Sequence, residues 1–139
     1  MKKVLILLIV APIIIFGIPN CGSKGGGGGG GGNNEANLTI TLNPPANSTQ
    51  PAAPQTDFPL TVSITSTMPP QGVTIDVKVA PDGSTTNFFT DSKSTTSAIT
   101  PFTITGTPAG VVCVTTVTVT SKTKPTIIVT LSYRYTRKP

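Results

Sequence analysis

The chain has 139 residues, room for one domain, and a formal net charge of +5. It contains no His and no Trp, and its only acids are Glu35, Asp57, Asp76, Asp82 and Asp91. A Ser-His-Asp triad, a Cys-His pair and an imidazole metal ligand are therefore excluded. Thr is abundant, at 25 residues, beside 14 Gly and 14 Pro.

The N-terminus opens with Lys2 and Lys3, and residues 4–18 then run without a charge, mostly Val, Ile, Leu and Phe. Pro19, Asn20 and Cys21 follow. A basic start, an apolar stretch and a polar end form the layout of an export signal. Fifteen helical residues reach only about 22 Å, short of a hydrocarbon core of about 30 Å. Pro12 also weakens a helix there. Residues 1–20 thus read as a removable signal peptide rather than a membrane span.

The four residues Ile18-Pro19-Asn20-Cys21 resemble the lipobox of bacterial lipoproteins, which is an apolar residue, two small residues and then Cys. Ile18 and Cys21 match, whereas Pro19 and Asn20 depart from the small residues. The resemblance implies cleavage before Cys21 and diacylglycerylation of its thiol, so that Cys21 anchors the protein in a bacterial cell envelope. Position 22 is Gly, not the Asp that in this family often retains lipoproteins at an inner membrane, so the outer membrane is the expected location. Two or three acyl chains hold a protein firmly where one holds it marginally.

Residues 21–37 form the next segment, with eight consecutive glycines at 25–32. Nothing in it can bury an apolar face, so it reads as a disordered tether. Residues 22–37, as a Gly-rich coil, span roughly 20–24 Å. The glycine run formally satisfies G-x-G-x-x-G, but no strand precedes it and no helix follows, so it is no phosphate loop.

Residues 38–139 read as all-β. Thr and Val dominate and helix formers are scarce. Leu38, Ile40 and Leu42 alternate with Thr39 and Thr41, and Leu60, Val62 and Ile64 alternate with Thr61 and Ser63. Val73, Ile75, Val77 and Val79 continue the pattern with Thr74, Asp76 and Lys78 between them. Period two means one buried and one wetted face per strand. Further strands are expected at 84–90, 99–105, 111–120 and 128–135. In the sixth, the apolar phase changes across Thr115-Thr116, which predicts a bulge. Pro81-Asp82-Gly83, residues 68–72, 107–110 and 121–125 carry turn chemistry. The break at 43–57 holds four prolines and is expected to be an ordered-edge or irregular loop.

Seven short strands in about a hundred residues match the antiparallel sandwich. The pattern is similar to bacterial immunoglobulin-like and fibronectin type III-like domains. That resemblance implies a single seven-stranded sandwich in which the second, fourth and sixth connections share one end, with the first strand starting there. Lys93, Lys122 and Lys124 would then form basic loops facing the membrane, while Arg134, Arg137 and Lys138 would sit at the far end. Cys113 falls in the sixth strand without a partner and reads as a small buried apolar residue.

Candidate chemistry is thin. Asp76 and Lys78 share a strand face and read as a surface pair. No G-x-S-x-G elbow exists, no ligand-spaced loop appears, and no cofactor or metal is expected. Phe88, Phe89, Tyr133 and Tyr135 read first as core packing, since the chain has only seven aromatics, and second as aromatic contacts for a glycan or protein. The charge balance is too weak to imply nucleic acid. The expectation is a non-catalytic, lipid-anchored envelope protein that works by contact. The alternative is a self-associating surface or fibre subunit that uses edge-strand pairing.

Overall fold

The computed structural model describes residues 35–139. The signal-like segment, Cys21 and the glycine run lie outside the described residues. Seven strands follow in order: β1 (Ile40–Asn43), β2 (Phe58–Ile64), β3 (Val73–Pro81), β4 (Phe89–Thr95), β5 (Ile99–Ile104), β6 (Val112–Ser121) and β7 (Ile128–Thr136). Every strand pair is antiparallel. Three strands form a sheet in the order β1-β2-β5, and four form a second in the order β4-β3-β6-β7. In the constant-type immunoglobulin arrangement the fourth strand joins the sheet of the first, second and fifth. Here it pairs with β3 instead, so the sheets divide three and four.

The period-two pattern builds the core. Val73, Ile75, Val77 and Val79 of β3 are all fully buried, and Leu60, Val62, Phe102, Ile104, Val117 and Val119 join them. Each alternate residue turns outward, which is why Thr and Ser cover the outer faces.

Two expectations need correction. The fourth strand is Phe89–Thr95, not 84–90. Its outer face bears Thr90, Ser92 and Ser94, and its inner face Asp91 and Lys93, so no apolar alternation marks it. The sixth strand has no bulge, because its register with β3 and β7 is unbroken from Cys113 to Thr120. Thr115 is fully buried and fills an inward position in sequence with Cys113 and Val117. Thr has nearly the shape of Val, so the apparent change of phase was a change of residue type only.

The connections 65–72, 96–98 and 122–127 meet at one end, as expected. Lys122 N–H donates to the Gly72 carbonyl at 3.0 Å, and Gln71 N–H donates to Thr123 Oγ1 at 3.0 Å. Gly72 has φ +77, and a Cβ there would lie 2.3 Å from the Thr95 carbonyl oxygen. Only glycine fits this crossing. β1 begins at the same end, since Ile40 pairs with Ile64.

The sheet edges differ in how they are protected. On β7, residues 47–53 run alongside in parallel: Asn47, Gln50 and Ala53 N–H donate to the carbonyls of Ser132, Arg134 and Thr136. The proline-rich break is therefore an ordered edge cover. On β4, the charged Asp91 and Lys93 face inward, which discourages an added strand. On β5, Ile64 N–H bonds the Ala98 carbonyl, so by alternation Ile99, Pro101 and Thr103 turn their backbone groups outward. Pro101 has no N–H, and Lys93 Nζ occupies its carbonyl at 2.7 Å. Ser97 Oγ donates to the Ile99 carbonyl at 3.0 Å.

Among the described residues β1 has none of these devices. Thr65 N–H bonds the Thr39 carbonyl, so Thr41 and Asn43 also face β2, and Ile40 and Leu42 turn their N–H and C=O outward. Among the described residues β1 pairs only with β2. β1 stops opposite Thr61, which leaves the β1-facing side of Pro59 without a strand to bond. That explains a proline within a central strand.

Candidate functional site

The acids are dispersed by the fold. Asp76, on the outer face of β3, accepts from Ser92 Oγ at 2.6 Å, its cross-strand neighbour. Asp82, in the β3–β4 turn, accepts from Arg134 Nε at 3.2 Å, the one ion pair among the described residues. Asp76 is therefore engaged with β4 rather than paired with Lys78. No group of three metal-ligating side chains occurs among the described residues.

The three candidate membrane-facing lysines separate. Lys122 and Lys124 do lie in the 122–127 loop at the end where β1 starts, and Ser121 Oγ accepts from the Thr123 and Lys124 N–H groups to shape that loop. Lys93 is not in a loop. It sits in β4, points inward, and places its ammonium 4.4 Å from the Phe102 ring centroid while bonding the Pro101 carbonyl. It joins the rim of one sheet to the other, so its ammonium is engaged within the sandwich rather than carried on a loop.

The aromatic candidates also resolve. Tyr133 and Tyr135 are 2% and 1% exposed, so they are core residues and not an outward platform. Their rings pack 6.1 Å apart, and the Tyr135 ring lies 4.4 Å from Phe58. Phe88 and Phe89 are half-buried against the core. The Tyr135 hydroxyl bonds Thr107 Oγ1 at 2.9 Å. Burial pushes the Tyr135 hydroxyl far above the ordinary tyrosine value, and the Thr107 bond only partly offsets this. Burial likewise raises Tyr133, with Thr115 opposing. Thr115 and Tyr133 are cross-strand partners, and neither hydroxyl makes a hydrogen bond of ordinary geometry. Burial also pushes the free Cys113 thiol up, which keeps it in its unreactive form.

One cavity of about 170 Å³ lies beside these rings. Pro44, Pro51 and Pro59 line it with Phe58, Tyr133 and Tyr135, and Gln50 and Gln55 supply its polar groups. Its size suits a single ring-sized group. It lies toward the end of the sandwich opposite the 122–127 loop, because β2 starts and β7 ends there. Sequence reasoning did not find it. The proline density at 43–57 was its only signal, and prolines alone do not say what they pack against. Comparison with known proteins finds no matching family model, no matching curated protein and no matching solved structure.

Proposed function

We propose that this is a lipid-anchored cell-envelope protein whose sandwich makes non-catalytic contacts with a protein, a glycan or another envelope component. One observation carries the reading: a basic and apolar leader ends at Cys21, and a glycine run joins it to the sandwich. The chain enters β1 at the end that holds Lys122 and Lys124, where anionic headgroups attract bases at about 1 kcal/mol each. The opposite end, with its proline- and tyrosine-lined cavity, is then presented away from the membrane for contact. The scattered acids and absent histidine favour contact over catalysis. Open-ended strand addition needs two complementary free edges, so the protected edges of β4, β5 and β7 favour a contact module over a fibre subunit.

The test is protease shaving of intact cells, with mass spectrometry of the anchored remnant. A remnant beginning at an acylated Cys21 is expected. A remnant that still carries residues 1–20 overturns the lipid-anchor reading. Release from intact cells places the sandwich outside, and release only after lysis places it inside.

A further inference from the structure

Among the described residues the outer edge of β1 is uncovered, and its backbone groups are arranged to pair with a copy of themselves. We infer that β1 pairs antiparallel with β1 of a second copy of this chain, forming a two-fold dimer with one continuous six-stranded sheet. The inference holds with or without the lipid anchor.

Three observations select a second copy. First, the outward backbone groups of Ile40 and Leu42 are self-complementary. Placing Ile40 opposite Leu42 of the partner copy lets these residues exchange all their free N–H and C=O groups in two symmetric pairs. Second, no strand of the three-stranded sheet carries a charge: β1, β2 and β5 read ITLN, FPLTVSI and ITPFTI. Two copies can therefore approach edge to edge without like-charge repulsion, whereas β3, β4 and β7 of the other sheet all carry charges. Third, the edge is closed after use. Pro44 follows β1 and cannot extend the ladder, and β5, the far rim of the joined sheet, is blocked by Pro101 and Lys93. Pairing then stops at two copies.

The pairing places Thr41 directly opposite its own symmetry mate. That pair is of the non-hydrogen-bonded kind, with Cα atoms about 4.5 Å apart, within disulfide range. The interface is small against the roughly 1,200 Å² of a lasting complex, so association is weak and rises with concentration.

The experiment uses the full chain in membranes and after detergent extraction. Under mild oxidation, Thr41→Cys is expected to form a disulfide dimer at least tenfold faster than Thr118→Cys, which carries its thiol on the outer face of the four-stranded sheet. Mass spectrometry should map the link to position 41 in both chains. Equal rates for the two variants, or a link elsewhere, overturn the inference. Thr41→Asp supplies the second arm. Its residue is exposed, so folding is retained, but it sets two like charges face to face. Concentration-dependent sedimentation present in the wild type and lost in Thr41→Asp is expected. A wild type that sediments as a monomer at all concentrations, or a variant that sediments like an associating wild type, counts against it.

Discussion

The two sheets share a core but solve the problem of being sheets differently. The four-stranded sheet carries Asp76, Lys78, Asp91, Lys93 and Arg134 on its strands, covers β7 with residues 47–53, and turns Asp91 and Lys93 inward at β4. The strands of the three-stranded sheet carry no charge and borrow Lys93 to close β5, while β1 has no cover among the described residues. Stability and edge protection are thus separable. Both sheets bury apolar residues, yet only the four-stranded one supplies charged side chains that refuse a further strand.

The comparison can be broken most forcefully in the core. Leu60→Ala in the three-stranded sheet and Ile75→Ala in the four-stranded sheet should each cost about 2–5 kcal/mol in urea unfolding. Both side chains are 0–1% exposed, so similar losses are expected if the faces contribute alike. A loss confined to one variant would show that one sheet carries the stability. Next in size is Gly72→Ala, where the φ of +77 and the 2.3 Å approach to the Thr95 carbonyl act together. About 2–4 kcal/mol is expected in the same assay. Gly83→Ala, whose Cβ would meet nothing within 4 Å, should cost about 1 kcal/mol from its positive φ alone.

Tyr135→Phe tests the four-stranded sheet near the cavity. It leaves Thr107 Oγ1 buried without its partner, for about 1–3 kcal/mol. It should also change the alkaline limb. Tyr135 titrates higher when folded than when unfolded, so the unfolded chain gives up its proton first as pH rises. Stability from this group is complete below about pH 10, the unfolded value, and falls as pH climbs toward the folded value. Thermal unfolding between pH 8 and 11 should show a shallower alkaline decline in Tyr135→Phe than in the wild type. The smallest effect on stability belongs to Lys93→Met, which keeps the apolar stem but removes the ammonium from Pro101 and the Phe102 ring. About 1 kcal/mol or less is expected. Its sharper readout is association: a variant that stays at the dimer limit is expected if Pro101 and Ser97 suffice to close β5, and larger species would show that the Lys93 bond is what closes it.

Much of the fold was legible in the residues. Leu60, Val62 and Ile64, and Val73 through Val79 on alternate positions, are buried as the pattern requires. The turn at Pro81-Asp82-Gly83, the shared loop end and the buried Cys113 were also readable. The fourth strand was not, because an edge strand wetted outside and charged inside has no apolar period to detect. The apolar pair Phe88 and Phe89 marks only its beginning. The phase of β6 is hidden in the residues because Thr115 reads as polar although its side chain takes a fully buried inward position. Tyr133 and Tyr135 share one face of the last strand, which fits a core reading first and a contact surface second. Their rings in fact fill the space under residues 44–59, and no local pattern reports what a distant segment covers.

By itself, then, the sequence determined the class of fold and the inward face of most strands, since alternation of apolar and polar residues is a local property that any pairing must respect. Only the tertiary structure decided which sheet the fourth strand joins, where Lys93 puts its charge, and which edge stays open. Those outcomes depend on contacts between residues far apart in the chain, such as Lys93 with Pro101 and residues 47–53 with β7. No periodicity within one strand encodes the group that will arrive from another.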